Sequence, residues 1–368
     1  MKSPQILIMA GGTGGHVYPA LAVAQQLRND GWLVDWVGTD RGLESRVVAD
    51  EDFALHTLPV RGLRGKGIVA KAEGLLLLVV AMFVALCLVW RIKPDIALGM
   101  GGYVSGPAGL ACFLLRVPLI IHEQNAVAGT TNRLLAPLAK RILCGLPPAF
   151  NGRAAAEFVG NPVRKAILKA ADQPRQFVDV FDSVRPLRLL VIGGSLGSAP
   201  LNALVPETVR VLKQLGRVDK LHVRHQCGEA HLEATLAAYH TLDVQHVEVS
   251  CFIDDMAAAY LWADLVVCRA GALTISELAA TGTPSMLVPL PHAIDDHQTA
   301  NAKTLSDAGA GQLLPQCELT PTRLAQFLWG YLEHPGRLRV MSTAARSAAR
   351  PNATIRVAEV IEEVAHVR

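Results

Sequence analysis

Residues 5–16 read QILIMAGGTGGH, so that an apolar run of strand type passes directly into a glycine-rich loop. Loops of the same kind follow apolar runs at residues 99–107 and 193–197. Glycine lets the backbone approach a ligand closely, and the N-terminus of a following helix offers N–H groups and a positive dipole end to an anion. With two such loops in the first half of the chain and one in the second, the pattern predicts two phosphate-bearing ligands, as a group transfer needs.

Strand-type runs alternate with helical stretches along the whole chain, which is the pattern of α/β domains with parallel sheets. The alternation stops at residues 158–164 and then restarts. It predicts two Rossmann-like domains facing across a cleft, at residues 1–160 and 161–349, with a C-terminal helix at 350–368 packing back on the first domain. Ligands of such sheets bind at the carboxyl ends of the strands, where the three loops lie.

The boundaries of individual elements follow from the same pattern. Strands are predicted at residues 5–10, 33–37, 96–98, 119–122, 141–144, 187–192, 221–226, 247–250, 265–268 and 285–288. The Ala-rich stretch 324–349 predicts a single helix, and residues 353–367 predict another one beyond Pro351.

The composition excludes several classes of protein. The 368 residues are 51% hydrophobic and 18% charged, which excludes a disordered chain. A net charge of +3 without any basic–aromatic pattern argues against nucleic acid as a partner. The seven cysteines are scattered without a CxxC pair, which is typical of reduced core cysteines rather than of metal ligands or disulfides. Val17 stands where a dinucleotide fingerprint needs its third glycine, and no Walker motif follows a strand, so redox and P-loop chemistry lose support.

Residues 75–90 form sixteen consecutive apolar positions. A membrane-spanning helix needs about 20 residues, so this run is marginally short. Three interpretations stay open: a span, a buried core helix with an exposed patch, and a helix lying in the membrane surface. In the third, cations flank the apolar run and meet anionic headgroups. These cations are Arg61, Arg64, Lys66, Lys71, Arg91 and Lys93. The predicted membrane-contacting residues are Leu75, Leu76, Leu77, Val79, Val80, Phe83 and Trp90.

A polar cluster in the second half favours recognition of a nucleotide sugar. In residues 269–277 a strand ends, a glycine turn opens a helix, and Glu277 lies two turns into it, where its carboxylate could accept both hydroxyls of a ribose. The polar residues 295–302 follow a proline-punctuated strand end and suit a hydroxyl-rich sugar. The competing interpretations are an exposed helix glutamate and a solvated loop with a helix cap.

The motifs GGTGGH (11–16), GGYVSGP (101–107), HEQN (122–125), GNPVR (160–164), GGSLG (193–197), FIDDM (252–256) and RAGALTISE (269–277) occur in this order. With them the chain resembles, over essentially its whole length, the MurG family of peptidoglycan enzymes. The resemblance implies the glycosyltransferase B arrangement of two Rossmann-like domains and an inverting transfer of N-acetylglucosamine from UDP-N-acetylglucosamine to lipid I, giving lipid II. The further partners that it implies are an anionic cytoplasmic membrane surface at the inner cell membrane and a cell-wall synthesis complex serving cell shape and division.

The resemblance also implies roles for individual residues. The backbone near Phe252 and Ile253 would recognise uracil, Glu277 the ribose, Ser195 and Arg164 the diphosphate, and Gln298 and Asn125 the sugar. The full donor-binding set is Thr13, Gly14, Gly15, Asn125, Arg164, Ser195, Ile253, Ala272, Leu273, Thr274, Glu277 and Gln298. The acceptor-binding set is Gly12, His16, Gly101, Gly102 and Tyr103. Ser198 and His297 depart from residues that are frequent in the family, which makes the contact to the sugar hydroxyls harder to assign.

Transfer of a sugar to an alcohol needs a base for the acceptor hydroxyl and stabilisation of the departing diphosphate. His16 is the first candidate for the base, with phosphate positioning and a structural role at the helix start as alternatives. His122 and Glu123 are second candidates because they end a strand at the same edge. Residues 50–52 read DED but follow a helical stretch, so we expect a solvated turn there and no metal ligands. We expect no obligatory cofactor for the reaction, and at most stimulation by Mg²⁺.

Two alternatives for the function remain at this stage. One is a UDP-N-acetylglucosamine epimerase of the same fold, in which residues 75–90 would serve only as core. The other is a transferase that acts on a different lipid acceptor.

Overall fold

The computed structural model describes residues 3–40, 42–60, 68–150, 156–291 and 294–366, and for residues 68–73, 75, 76 and 294 it describes only the backbone. The chain divides into two compact units, residues 1–164 together with 350–368, and residues 165–349. The division lies at the end of residues 158–164, four residues beyond the boundary predicted after residue 160.

The described residues of the first unit form a seven-stranded parallel sheet in the order β3-β2-β1-β4-β5-β6-β7. Its strands are β1 (Gln5–Met9), β2 (Leu33–Gly38), β3 (Ala54–Thr57), β4 (Ile96–Gly99), β5 (Leu119–Glu123), β6 (Arg141–Cys144) and β7 (Ala156–Phe158). Its helices up to the connector are α1 (Gly14–Asn29), α2 (Glu44–Val47), α3 (Ile68–Ile92), α4 (Ser105–Leu114) and α5 (Thr130–Leu135).

The described residues of the second unit form a six-stranded parallel sheet in the order β10-β9-β8-β11-β12-β13. Its strands are β8 (Leu187–Ile192), β9 (Leu221–Gln226), β10 (Val247–Ser250), β11 (Leu265–Cys268), β12 (Ser285–Leu287) and β13 (Gly311–Leu313). Its helices are α6 (Lys165–Ala171), α7 (Ala199–Gln214), α8 (Leu232–His240), α9 (Met256–Trp262), α10 (Ala272–Thr281), α11 (His297–Ser306), α12 (Pro321–Glu333) and α13 (Gly336–Ala348). The last helix of the chain, α14 (Ala353–His366), belongs to the first unit.

Successive side chains of β1 point to opposite faces of the first sheet, and each face has its own hydrophobic core. Ile6 and Ile8 pack in one cluster with residues of α1 and α14, and Leu7 and Met9 pack in the other with residues of α3 and α4. Both faces of a parallel sheet are normally covered by helices, and the central strands β4 and β5 are accordingly buried along their whole length. The predicted fold class, two Rossmann-like α/β domains, is confirmed.

The prediction of one helix over residues 324–349 is wrong. The structure has α12 and α13 there, separated at His334 and Pro335. Proline cannot donate to the helix ladder, and it disfavours helical backbone at the residue before it, so the first helix ends and a second begins. The short strands β3, β7 and β13 were not predicted, since their three or four residues carry little apolar pattern.

Helix α3 contains the apolar run and presents two different faces. Ala81, Ala85 and Val89 are buried in the first unit, whereas Phe83 and Trp90 are each 68% exposed. No helix in the described part of the chain is both long and apolar enough to cross a membrane. The side chains of Leu75 and Leu76, the side chain of Lys71 and all of residues 61–67 lie outside the described part, so these predicted membrane contacts stay predictions.

Candidate active site

The first glycine loop, residues 11–13, leads from β1 into α1. Thr13 is the N-cap residue with extended backbone, and its carbonyl accepts the N–H groups of His16 (3.0 Å) and Val17 (3.2 Å). Helix α1 therefore begins at Gly14, and Gly14, Gly15 and His16 form its first turn. An open helix N-terminus at the carboxyl edge of a parallel sheet suits an anion.

A buried carboxylate, Glu44 of α2, holds this loop in place. One of its oxygens accepts the N–H of Gly12 at 3.0 Å, and the other accepts the N–H (2.9 Å) and hydroxyl (2.7 Å) of Thr39. The N–H of Gly12, a predicted acceptor-binding residue, is therefore engaged inside the protein. Reasoning from the sequence missed Glu44, because no local pattern marks it. In the structure Gly11, Gly38 and Gly42 make room for its side chain, since a Cβ on any of them would lie within 3 Å of it.

The second glycine loop packs directly against the first. Gly101 and Gly102 have φ of +99° and +86°, and a Cβ on Gly102 would overlap the carbonyl oxygen of Gly11. A Cβ on Gly101 would lie 2.9 Å from Cδ2 and 3.0 Å from Nε2 of His16. The Ser105 hydroxyl donates towards the carbonyls of Gly101 (2.8 Å) and Met9 (3.0 Å), which ties the loop to β1. The structure thus brings the predicted acceptor-binding residues together around His16, with Tyr103 half-exposed beside them.

His122 lies fully buried at the end of β5. Its Nε2 lies 2.9 Å from the carbonyl oxygen of Gly160, and its Nδ1 lies 3.2 Å from the amide nitrogen of Gln124. Nε2 donates in this arrangement, because a carbonyl only accepts. Burial lowers the pKa of His122 to about 4, so the ring is neutral near pH 7.

Glu123 is also buried and holds the following loop. Its carboxylate accepts the N–H groups of Asn125 (3.0 Å) and Gly129 (2.9 Å) and the side-chain amides of Asn125 (3.1 Å) and Asn132 (2.9 Å). Neither side chain is presented to a ligand, so the geometry argues against the prediction of His122 or Glu123 as the base and favours a role in positioning Asn125. Arg164, the last residue before α6, lies with its guanidinium carbon 5.3 Å from the centre of the Tyr18 ring.

The second unit contains a cavity of about 380 Å³ at the carboxyl ends of β8 and β11. Its lining includes backbone and side chains from the third glycine loop, from the first turn of α10 and from α11. This volume lies within the usual range of small-molecule sites. The lining residues relevant to a ligand are Gly193, Gly194, Gly197, Ser198, Arg269, Gly271, Thr274 and Gln298.

The third glycine loop, residues 193–197, runs from β8 to Ser198, the N-cap residue of α7. Gly194 and Gly197 have φ of +92° and +76°, and a Cβ on Gly197 would overlap the carbonyl oxygen of Cys227. Ser195 is exposed at the tip of the loop. The turn therefore favours glycine at 194 and 197, and position 197 also needs glycine because the loop packs closely on Cys227, the residue after β9.

Arg269 places a buried positive charge behind this loop. Its guanidinium donates to the Ser198 hydroxyl (3.0 Å), to the carbonyls of Val288 and Pro289 (both 3.1 Å) and to the Gln316 side chain (2.7 Å). All these acceptors are uncharged, and burial lowers the pKa of Arg269 below its ordinary value. A buried cation with neutral partners favours an anion in the adjoining cavity. Arg269 is the first residue of the motif at 269–277, but no pattern in the sequence predicts its role.

Gln298 and the start of α10 also line this cavity. The amide oxygen of Gln298 accepts the N–H groups of Leu290 (2.9 Å) and Ala270 (3.3 Å), so its NH₂ is the end that remains for a ligand hydroxyl. Gly271 is the N-cap residue of α10, and Ala272, Leu273 and Thr274 follow in the first turn. Ala272, Leu273, Thr274 and Gln298 all belong to the predicted donor-binding set, and Thr274 and Gln298 line the cavity.

Glu277 lies further along α10 and is 4% exposed. The Tyr260 hydroxyl donates to its Oε2 at 3.0 Å. The backbone near Phe252 and Ile253 was predicted to recognise uracil. These residues follow β10 and Cys251, whose carbonyl accepts the N–H of Gly228 at 3.2 Å. Phe252 and Ile253 come next, before Asp255 caps α9 by accepting the N–H of Ala258 at 2.9 Å.

Two further predictions concern metal ligands. Residues 50–52 lie in a turn after α2, where Arg28 donates to the Glu51 carbonyl at 2.7 Å. Among the described side chains, no group of three or more His, Cys, Asp or Glu is arranged to hold a metal ion.

Comparison with known proteins agrees with this geometry. Residues 6–144 match the glycosyltransferase family 28 N-terminal domain, and residues 188–357 match the glycosyltransferase family 28 C-terminal domain. A relative from Stutzerimonas stutzeri, named UDP-N-acetylglucosamine--N-acetylmuramyl-(pentapeptide) pyrophosphoryl-undecaprenol N-acetylglucosamine transferase, is 50% identical over 361 residues, covering 98% of this chain and 99% of its own.

Of two similar solved structures, one belongs to the same family and the other shares only the fold. The crystal structure of Acinetobacter baumannii MurG is 40% identical, with a TM-score of 0.80 over 98% of this chain and 99% of that one. A putative UDP-N-acetylglucosamine 2-epimerase from Listeria monocytogenes aligns with a TM-score of 0.69 over 100% of this chain and 98% of that one, but at 16% identity it shares only the fold. The epimerase alternative is thus not favoured. The chain belongs to the MurG family of UDP-N-acetylglucosamine-dependent N-acetylglucosaminyltransferases, within glycosyltransferase family 28.

Proposed function

We propose that this enzyme transfers N-acetylglucosamine from UDP-N-acetylglucosamine to the 4-hydroxyl of the N-acetylmuramyl group of lipid I, undecaprenyl-diphospho-N-acetylmuramyl-pentapeptide, and so forms lipid II for peptidoglycan. The observation that carries the proposal is the 50% identity, over nearly the whole chain, to a relative named for this acceptor and donor. The two separate sets of glycine loops support it, because donor and acceptor each carry a diphosphate.

The reaction is a single displacement with inversion at C1 of the sugar. The acceptor oxygen forms a bond to C1 as the bond from C1 to the UDP oxygen breaks, and the hydroxyl proton passes to a base. We assign this base to His16, which lies in the first turn of α1 against Gly101. His122 and Glu123 are buried beneath the neighbouring loop and position backbone and amide groups there.

The departing UDP needs stabilisation of its developing negative charge. We propose that the N–H groups at the start of α7 and the buried charge of Arg269 supply it in the cavity of the second unit. Ala272, Leu273 and Thr274 add the N-terminus of α10. These groups act without an obligatory metal ion in our proposal, and added Mg²⁺ would only stimulate.

The exposed face of α3 is proposed to lie in the cytoplasmic surface of the cell membrane. Besides Phe83 and Trp90, Val79 and Val80 are exposed there, and Phe113 and Leu114 are exposed on α4, which packs against α3. Large exposed apolar patches mark interaction surfaces, and Arg91 and Lys93 next to this patch suit anionic lipid headgroups. Such a surface would bring the enzyme to an acceptor that is itself anchored in lipid.

The direct experiment incubates the purified chain with labelled UDP-N-acetylglucosamine and a lipid I analogue and follows the label into lipid, with Mg²⁺ and with EDTA. We expect transfer in both conditions. A folded chain that transfers no label would contradict the proposal. Label recovered as UDP-N-acetylmannosamine without an acceptor would favour the epimerase instead, and transfer only with Mg²⁺ would refute the metal-independent stabilisation.

A further inference from the structure

Gln226 joins two loops of the second unit that are far apart in sequence. It is the last residue of β9 and is 3% exposed. Its amide oxygen accepts the N–H of Gly193 at 3.1 Å, and its amide nitrogen donates to the carbonyls of Gly194 and Cys251, both at 3.0 Å. The orientation of the amide is determined by these partners, because a flipped group would set its oxygen against two carbonyl oxygens.

The contact at Gly194 matters because little else supports the loop at that point. Gly194 has φ of +92°, and a Cβ built on it would meet no heavy atom within 4 Å. Its carbonyl accepts only the N–H of Gly197 (2.9 Å) and the Gln226 amide among the described hydrogen bonds. The turn within the loop is closed by the Gly197 N–H, so what depends on Gln226 is the position of the loop relative to β9 and to Cys251.

The same residue determines where the segment after β10 lies. Cys251 accepts from Gln226 and from the N–H of Gly228 (3.2 Å), and the N–H of Cys227 donates to Ser250 at 2.9 Å. The segment 251–253 is thus connected to the third glycine loop through β9 and through one buried side chain.

We propose that Gln226 is a positioning residue that sets the spacing between the diphosphate-binding loop (193–197) and the nucleobase-binding segment (251–253), and thereby selects ligands that carry both a base and a diphosphate. The inference rests on the proposed function for the identity of these two subsites. A nucleoside diphosphate must engage both at once, so a preorganised spacing lowers the cost of binding for the whole ligand more than for either fragment.

Two substitutions test this role. In Gln226→Glu the introduced carboxylate still accepts from Gly193 but repels the carbonyls of Gly194 and Cys251, and in Gln226→Met the shape is kept without hydrogen bonds. A matched control is Gln312→Glu, since Gln312 accepts from the Tyr331 hydroxyl (3.1 Å) elsewhere in the same unit. Affinities for UDP, uridine and inorganic pyrophosphate are measured by displacement of a fluorescent UDP-sugar, and the KM and kcat of transfer are measured alongside.

We expect both Gln226 variants to lose about tenfold or more in UDP affinity, with KM for the donor rising in step and kcat little changed, while uridine and pyrophosphate bind nearly as before. The Gln226→Glu variant should recover donor affinity on acidification, because a protonated carboxyl donates one hydrogen bond, and Gln226→Met should not. Equal losses for UDP and its fragments, unchanged UDP affinity, or failure of both variants to fold would each overturn the proposal. If the wild-type chain itself fails to bind UDP, the proposed function fails instead.

Discussion

The hydroxyl of Tyr260 donates to Oε2 of Glu277 at 3.0 Å, joining α9 to α10 in a site where both side chains are almost entirely buried. The carbonyl of Tyr260 accepts a hydrogen bond from the Arg175 guanidinium at 2.9 Å, and Arg175 also donates to Thr283 at 3.0 Å. The Glu277 carboxylate is therefore oriented by a neighbour that is itself held in place. In the proposed donor site, a carboxylate held in this way would be preorganised to accept the ribose hydroxyls.

The first prediction concerns this pair. Tyr260→Phe removes one hydrogen bond to a charged group without changing the shape, so we expect the KM for UDP-N-acetylglucosamine to rise about tenfold while kcat stays close to that of the wild type. The variant should also discriminate less between UDP and 2′-deoxy-UDP, since Glu277 would be less well oriented. Tyr331→Phe is the matched control. Unchanged ribose discrimination in Tyr260→Phe would contradict the role.

The second prediction uses kinetics to separate the role of His16 in the first unit from the role of Glu277 in the second unit. His16→Ala removes the proposed base, so we expect kcat to fall about 10²-fold to 10⁴-fold with little change in donor affinity. Glu277→Ala should instead mainly weaken donor binding. Steady-state kinetics and UDP binding of the two variants measure the difference. Similar losses of donor affinity in both would refute this division of roles.

The third prediction concerns the exposed face of α3. Phe83→Glu combined with Trp90→Glu places two charges on the proposed membrane surface, so we expect flotation with anionic phosphatidylglycerol vesicles to be lost. Val340→Glu changes another highly exposed apolar residue, in the second unit, and should float as the wild type does. Unchanged flotation of the double variant would exclude this face as the membrane contact.

Local pattern was enough to predict much of this fold and part of the site. The third glycine loop follows a strand that runs over residues 187–192 as predicted, and the first two glycine loops meet where Gly101 lies against His16. The local sequence pattern does not predict hydrogen bonds between segments that lie far apart along the chain. Glu44 supports Gly12 from 32 residues away, and Gln226 supports Gly193 from 33 residues away, and neither has a local signature.

Burial is the other property that pattern could not predict. His122 and Glu123 end a strand at the edge where ligands bind, so they resembled catalytic candidates. The structure turns both inward, because the loop after β5 needs acceptors and donors for its own backbone and amide groups. Pro335, by contrast, is a local signal. Because proline usually ends or interrupts a helix, it predicts two helices within residues 324–349 and not one.

The fourth prediction concerns acid stability. Burial lowers the pKa of His122 in the first unit and of His225 in the second, each to about 4, below the ordinary value of 6.5. The unfolded chain then binds more protons, so stability is complete above about pH 6.5 and is lost as the pH falls towards 4. Each histidine should remove about 2 kcal/mol from the free energy of unfolding of its unit between pH 7 and pH 5.

Denaturant titrations at several pH values measure this loss. His225→Gln removes the titrating ring between Tyr239 and Asn202, so the variant should show a shallower dependence on pH, whatever its stability at pH 7. The control is His240→Gln, since His240 is exposed at the end of α8. An equally steep dependence in His225→Gln would show that other groups cause the acid sensitivity.

The fifth prediction uses two glycines with positive φ in different surroundings. Gly102→Ala would place a Cβ in the carbonyl oxygen of Gly11, so the first two glycine loops must separate and Gly101 must move away from His16. At Gly216 (φ +66°) a Cβ would meet nothing within 4 Å, so Gly216→Ala costs only the strain of the left-handed backbone, about 1 kcal/mol. We expect Gly102→Ala to lose most transfer to a lipid I analogue while binding UDP with wild-type affinity, because the proposed contacts to the UDP diphosphate, at Arg269 and at the starts of α7 and α10, lie in the second unit. Gly216→Ala should retain both activities. Loss of UDP affinity in Gly102→Ala would instead mean that the first two loops serve the donor, and the acceptor would have to be bound elsewhere.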